Sequence, residues 1–278
     1  MKQLKLMVLT LTLLMGTMFT SCMDSGESGP QQWAGVVKVN DRMGYVTFTD
    51  AAGTELIPTN TIPVTLNARM AYIYCQVDEG QDLSTNPKSI KITLLADPTG
   101  IDATAITTPK VESSDVTTNA PVGSLSFASG YSTVAPFQFS ENTIVLPVLY
   151  RVKNVTTTED IKNELAKHTF TLVCYTDDIK SGDTILKLYL RYKVEDEPAA
   201  IAERATRTSS FKAYEISQIL REYTLKSGQT KPAKITIVAQ QNEYNNKLED
   251  TSTIEKVYEI EYKTASWPTG NFVVLPNH

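Results

Sequence analysis

Short runs of Val, Ile, Thr and Tyr, bounded by Gly, Pro, Asn and Asp, recur along most of this chain and constrain its fold more than any other feature. Such runs are typical of β-strands. In residues 185–192 both charged side chains, Lys187 and Arg191, fall on odd-numbered positions and so on the same face, as expected for a strand with one buried face. We therefore predict an all-β chain with few and short helices.

The spacing of these runs divides the chain into two blocks. In residues 33–112 the runs are short, which favours a small OB-like barrel, with strands at 33–40, 45–50, 54–57, 69–77 and 89–95. In residues 122–265 they are longer, which favours a β-sandwich, with strands at 143–152, 169–176, 184–195, 206–214, 233–240 and 254–263. The Ser/Thr-rich residues 113–121 predict a linker, and residues 266–278 predict a C-terminal tail.

One short crossover helix is predicted within the second block. Thr157 and Asp160 resemble a helix-capping box, and Ile161 and Leu165 lie one turn apart on the same face. We predict that this helix covers the edge of a sheet. Residues 217–223 favour a further short helical turn.

The start of the chain has the pattern of an export signal of the lipoprotein kind. Lys2 and Lys5 precede an apolar stretch over 6–19, and small residues then lead to Cys22. The stretch is too short to span a bilayer, which takes about 20 apolar residues. We predict a signal peptide over 1–21, lipid attachment at Cys22 and a flexible tether over 22–32. The alternative is an ordinary signal peptide in which Cys22 is incidental.

Charge argues against one class of partner. The formal net charge is −5, and it becomes −7 without residues 1–21, which hold two lysines and no acids. Nucleic-acid binding depends on Lys and Arg that neutralise phosphates, so we expect no nucleic-acid partner. Cys75 and Cys174 both lie in strand-like runs. A disulfide is compatible with the oxidising envelope, but two separate buried thiols are the favoured interpretation.

Residues that could carry chemistry are few. The chain has two histidines, His168 and His278, and we predict a structural role for His168 at a helix-to-strand junction. No cysteine or histidine spacing matches a zinc site and no Gly-rich phosphate loop is present, so no metal, cofactor or catalytic residue is predicted. Tyrosines remain as candidates for ligand binding: Tyr72 and Tyr74 share a strand face, and Tyr45 lies in the same block. Core packing is the alternative role for these rings.

The layout resembles the NigD-like lipoproteins, a family of envelope proteins. The resemblance rests on Cys22 and on strand-like motifs at 35–40, 53–60, 70–77, 184–192, 211–216 and 258–263. It implies an N-terminal OB domain and a C-terminal β-sandwich. The polar loop over 78–87 and the tail after residue 266 depart from the family pattern. The resemblance supplies no functional residues.

The sequence thus predicts a non-enzymatic lipoprotein of the cell envelope. We expect it to be anchored in the outer membrane, on the periplasmic side or at the surface, and to act as a binding or accessory module. A glycan, a peptide or a protein of the envelope is the candidate partner. The alternative is a scaffold or a bacteriocin-immunity factor that docks its partner through the β-sandwich.

Overall fold

The computed structural model describes residues 31–42, 45–60, 66, 68–81, 83, 87–109, 116–129, 132–264 and 273–275. Cys22, the predicted signal peptide and most of the predicted tether and tail lie outside these residues. The chain is all-β, as predicted, and three short helices lie within the described residues. The chain forms two compact units. One holds the described residues up to Ala103 together with 128–129, 132 and 273–275, and the other holds Thr104–Phe127 and Thr133–Thr264.

The first unit is a small closed barrel. Its strands are β1 (Gln32–Arg42), β2 (Tyr45–Thr49), β3 (Glu55–Pro58), β4 (Met70–Val77), β5 (Ser89–Leu94) and β6 (Thr99–Ile101). Five of them pair in the order β1-β2-β3-β5-β4, and a further pairing of β4 with β1 closes the ring. Strands β3 and β5 run in parallel, whereas the other pairs in the ring are antiparallel. This five-stranded barrel confirms the predicted OB-like architecture.

Alternation along β4 shows how the sequence forms the barrel. Ala71, Ile73, Cys75 and Val77 are buried in the barrel core, whereas Tyr72 and Tyr74 between them point outward and are half-buried. Burial of an Ile-sized side chain contributes about 1.5–3 kcal/mol, so this period of two fixes which face of β4 is inside.

The remaining strands are β7 (Ala103–Ala105), β8 (Phe127–Ser129), β9 (Ser132–Val134), β10 (Phe137–Ser140), β11 (Thr143–Val152), β12 (His168–Val173), β13 (Ile185–Val194), β14 (Thr206–Glu215), β15 (Lys234–Gln241), β16 (Ile254–Glu261) and β17 (Val273–Leu275). Strand β17 pairs with β1 of the barrel, and β8 pairs with β9. The second unit has two four-stranded sheets, ordered β10-β11-β14-β7 and β12-β13-β15-β16.

The two sheets of the second unit share one apolar core. Buried residues of β11 and β14 meet those of β12, β13 and β15, among them Leu146, Tyr214, Leu172, Leu188 and Ile237. Cys174 lies in this core and Cys75 lies in the barrel core, and both are free thiols, as predicted. Burial raises the pKa of each thiol to about 12, so both stay protonated at neutral pH.

Three helices join the strands of the second unit: α1 (Thr158–Ala166), α2 (Pro198–Ala202) and α3 (Ser217–Ser227). The predicted cap of α1 is present, because the Thr157 side chain accepts a hydrogen bond from the Asp160 N–H at 3.1 Å. Helix α2 was not predicted, and Pro198 begins it because proline suits a first helical position. Helix α3 extends past the predicted turn and ends at Gly228, which adopts a φ of 74°.

The predicted linker differs from the structure in its described part, residues 116–121. Asn119 donates its side-chain amide to the Val194 carbonyl at 2.9 Å and accepts from the Val194 N–H at 2.8 Å. Ala120 is fully buried. The first passage of the described chain from one unit to the other lies between Ala103 and Thr104. A Ser/Thr-rich composition does not distinguish a free linker from a segment whose polar groups bond to a neighbouring strand.

Candidate functional site

The predicted tyrosine face lies on the barrel, and the structure separates its members. Tyr72 and Tyr74 share the outer face of β4, and the Tyr74 hydroxyl donates to Gln32 Oε1 at 2.5 Å. Burial raises the pKa of Tyr72 to about 12. These two rings are therefore neutral and placed side by side on one face.

Tyr45 lies elsewhere on the barrel. It is 56% exposed and pairs with Arg42, whereas Tyr72 pairs with Val36 of the same strand β1. These positions on β1 are about 20 Å apart at the usual rise of a strand. Tyr45 therefore does not join Tyr72 and Tyr74 in one binding face, and ligand binding at any of the three stays a prediction.

The second unit contains a buried ionic cluster around Glu164 of α1, which was not predicted from the sequence. Glu164 Oε1 accepts from Arg204 Nε at 2.7 Å and from the Lys153 N–H at 2.9 Å, while Oε2 accepts from Arg204 Nη2 at 3.2 Å. Arg204 is 1% exposed. Two hydrogen bonds from one guanidinium make this a strong, oriented ion pair.

Asp196 extends this cluster to the surface. Its Oδ2 lies 3.1 Å from Arg204 Nη2, 3.1 Å from Lys153 Nζ and 3.2 Å from Lys167 Nζ. Hydrogen bonds from Lys153, then Arg204 and Lys167, hold the pKa of Asp196 well below its usual range. We call Glu164, Arg204, Asp196, Lys153 and Lys167 the Glu164 cluster. It ties α1, the segment after α2, and the ends of β11 and β13 together.

Helix α1 buries a different face from the apolar one that was predicted. Leu165 is 43% exposed, and Glu164 is the buried residue of this helix. Burial raises the pKa of Glu164, but the hydrogen bonds from Lys153, Arg204 and His168 together outweigh it and leave the pKa lowered. The carboxylate stays ionised at neutral pH, and α1 packs through an ion pair.

His168 has the structural role that its position predicted. Its Nδ1 lies 2.6 Å from the Tyr192 hydroxyl, and its Nε2 lies 3.3 Å from Glu164 Oε1. The ring stacks on Tyr192 and contacts Tyr150. Burial lowers the pKa of His168 although Glu164 raises it. Both ring nitrogens are occupied, so this imidazole is not set up as a free base.

An Asn-rich loop, residues 242–253, lies at the same end of the second unit. The Asn242 side chain accepts from the N–H groups of Tyr244 and Asn245, and its amide donates to Thr253 Oγ1 at 3.0 Å. Asn246 is 1% exposed and donates to the Ile201 carbonyl at 3.0 Å. These bonds hold a turn that presents Tyr244 with 77% of its surface exposed.

Two arginines meet beneath this loop. Arg151 of β11 lies directly opposite Arg207 of β14, and both donate to the Glu243 carbonyl, at 2.7 and 2.6 Å. Burial and then the charge of Arg207 lower the pKa of Arg151. Like charges directly opposite each other destabilise an antiparallel pair. The Nε of Arg151 is buried and has no partner among the described residues.

Tyr244 and Arg207 are both exposed and both adjoin Glu243, on a loop that its own hydrogen bonds hold in place. We call this polar surface, which includes the positive charge of Arg207, the loop-end surface. Spacing alone did not find it, because Asn and Asp in a turn are also typical of any solvated loop. The cross-strand Arg pair was not visible before the register of β11 and β14 was known.

Other kinds of site are absent from the described part of the chain. No group of three or more His, Cys, Asp or Glu side chains there could hold a metal ion. None of the helices in those residues is long and apolar enough to cross a membrane.

Comparison with known proteins places the chain in a family. No protein-family model and no curated protein matches the sequence. A crystal structure of a protein named as a lipoprotein from Bacteroides fragilis is 96% identical, with a TM-score of 0.78, over 84% of this chain and 100% of that chain. The chain belongs to the same lipoprotein family as that protein.

Two further solved structures are more distantly similar to this lipoprotein. A protein of unknown function (DUF1344) from Bacteroides vulgatus is 12% identical over 85% of this chain and 94% of that chain, with a TM-score of 0.54. A NigD-like immunity protein from Bacteroides caccae is 11% identical over 86% of this chain and 100% of that chain, with a TM-score of 0.49. At such identities the DUF1344 structure shows a shared fold only.

Proposed function

We propose that this lipoprotein is a non-enzymatic binding module, anchored in the outer membrane through lipid on Cys22, whose second unit docks a partner protein. The loop-end surface carries this proposal. Tyr and Arg are enriched among the residues that dominate binding energy at protein interfaces. Here Tyr244 is exposed and Arg207 lies beside it, on a loop whose own hydrogen bonds fix its conformation.

Rigidity supports a binding role in a second way. A loop ordered before binding loses little conformational entropy when a partner docks. Asn246 fastens the Asn-rich loop to the carbonyl of Ile201 in α2, and Arg204 fastens the segment after α2 to Glu164. The Glu164 cluster thus supports the loop-end surface from below. Its charged groups pair with one another inside the protein.

The electrostatic repulsion between Arg151 and Arg207, which lowers the stability of the fold, also supports a binding role. A protein selected only for stability has no reason to place two guanidinium groups opposite each other and leave a buried Nε unpartnered. An acidic side chain of a partner would relieve that repulsion. We therefore infer that the docked protein presents carboxylates to the loop-end surface.

Site-specific photocrosslinking in living cells tests this proposal. A photoreactive amino acid replaces Tyr244 in one strain and Leu225 of α3 in a control strain. Leu225 is 73% exposed, close to the 77% of Tyr244, but lies beyond the opposite end of β14. We expect a discrete protein adduct from position 244 alone. Equal adducts from both positions, or none from position 244, would contradict the proposal.

A further inference from the structure

Strand β16 forms one edge of the second sheet of the sandwich. The hydrogen bonds at its end show which of its backbone N–H and C=O groups point away from β15. Tyr262, just past its end, donates its N–H to the Ala233 carbonyl beside β15 at 3.1 Å. Lys263 turns its N–H and carbonyl to the side-chain amide of Gln138. Backbone groups alternate between the two edges of a strand. The N–H and C=O groups of Glu255, Val257, Glu259 and Glu261 therefore point away from β15.

These four outward residues form an open edge. No described residue pairs with their N–H or C=O groups, and all four residues are exposed. Val257 is 49% exposed and Ile254, at the start of the strand, is 53% exposed. An exposed edge that carries apolar side chains is a template for pairing with another strand.

The opposite edge of the same sheet is occupied, which makes the open edge distinctive. Thr107 donates its N–H to the Leu172 carbonyl of β12 at 3.1 Å and accepts from the Cys174 N–H at 3.0 Å. At the start of β12, Glu164 of α1 contacts His168. Past the end of β16, the next residue whose backbone groups point outward is Lys263. Its N–H and carbonyl are both bonded by the side-chain amide of Gln138, as a neighbouring strand would bond them.

Charge on the edge specifies the kind of strand that fits. Glu255, Glu259 and Glu261 lie on the outer face together with Val257, and one of them, Glu259, pairs with Lys234 at 2.8 Å. A second copy of β16 would bring further glutamates against this face. An added strand whose outer side chains are basic would pair favourably with these acids, since cross-strand pairs of opposite charge attract.

We propose that β16 accepts an extended, basic segment of a partner protein as an additional strand. Backbone hydrogen bonds to Glu255, Val257, Glu259 and Glu261 supply its binding, and its lysines or arginines face the glutamates. The inference rests on the proposed role of the second unit as a docking module, and adds a mode of recognition that is distinct from the loop-end surface.

The test uses a soluble peptide of alternating lysine and valine, about nine residues long, which matches a typical strand. The purified chain without residues 1–21 is titrated with it, and backbone amide exchange is followed residue by residue. We expect protection of the amides of residues 255, 257, 259 and 261, with no change at 256, 258 and 260, which already face β15.

Val257→Pro is the decisive variant, and Val257→Thr is its control. Proline removes an N–H that points outward and bonds nothing in the fold, so the β15–β16 ladder should survive, which slow exchange at residues 258 and 260 verifies. We expect Val257→Pro to weaken peptide binding roughly tenfold or more, and Val257→Thr to leave it close to the parent value.

Three results would overturn the inference. The first is equal binding by Val257→Pro and the parent. The second is an alternating glutamate–valine peptide that binds as well as the lysine peptide. The third is protection of the outward amides that rises with protein concentration alone, which assigns the edge to a second copy. A crosslink from position 244 together with any of these would leave the proposed function intact and remove only strand addition.

Discussion

Arg204 shows at the scale of one residue how this protein uses buried charge. The guanidinium is 1% exposed and bonds both oxygens of Glu164, so its removal leaves a buried carboxylate without its main partner. We expect Arg204→Met to lower the free energy of unfolding by about 3–5 kcal/mol in urea titrations at neutral pH. The exposed Arg207 is the control, because Arg207→Gln relieves a repulsion and should change stability by no more than about 0.5 kcal/mol. Equal losses in both variants would contradict this account of the Glu164 cluster.

His168 gives the protein a pH dependence whose sign follows from its lowered pKa. In the unfolded chain the imidazole binds a proton near pH 6.5, whereas the fold holds it neutral to lower pH. Between these values the unfolded state binds more protons, so stability falls as pH decreases through this window. The lowered pKa of Glu164 acts separately, since its contribution is complete above about pH 4.3 and is lost as pH falls through the folded value.

Urea titrations from pH 7 to about pH 5 measure this effect. We expect the parent protein to lose stability over that range and His168→Gln to lose less. His278 is present in both proteins, so the difference reports His168. A variant with the same slope as the parent would show that His168 titrates alike in the folded and unfolded chains.

At the scale of the element, β4 separates core from surface within two consecutive residues. Ile73 is fully buried in the barrel, and Tyr74 points outward with its hydroxyl on Gln32. We expect Ile73→Ala to cost about 2–5 kcal/mol because it leaves a cavity. Tyr74→Phe removes one partly exposed hydrogen bond and should cost about 1 kcal/mol or less. Midpoints of urea unfolding compare the two, and a larger loss for Tyr74→Phe would contradict the assigned faces.

The elements that the sequence predicted well are those with strict alternation. Strands β4 and β13 lie close to their predicted ranges because each buries one face, which fixes their phase. The short strands β6, β7 and β17 were missed, because three residues carry no period. Helix α1 was found from its cap, but its buried face was not, since Glu164 is buried only because Arg204 lies opposite.

The candidate functional surfaces were harder to predict from the sequence, because they too depend on which residues lie opposite each other in space. The loop-end surface depends on Arg151 and Arg207 being opposite each other, which is a property of strand register and not of spacing along the chain. The predicted tyrosine site grouped Tyr45 with Tyr72 from their common block, although a barrel of this size separates them along β1.

For the whole molecule, we propose that a lipid anchor holds a docking unit at the membrane. Lipidation of Cys22 remains a prediction, and Cys22→Ala tests it because the substitution removes the sulfur to which the lipid would be attached. We expect the variant to leave the detergent phase for the aqueous phase, or to retain its signal peptide. The parent protein expressed in the same cells is the control. Normal processing and unchanged partition of the variant would contradict a lipid anchor.

The most direct test of the docking claim is the yield of the position-244 crosslink in cells that carry Arg207→Gln. The substitution removes an exposed charge beside Tyr244 and spares the Glu164 cluster, so the amount of folded protein should be unchanged. If the loop-end surface binds carboxylates of a partner, the yield of the adduct should fall several-fold at equal protein level. An undiminished yield in Arg207→Gln cells would contradict the assignment of this surface as the docking site.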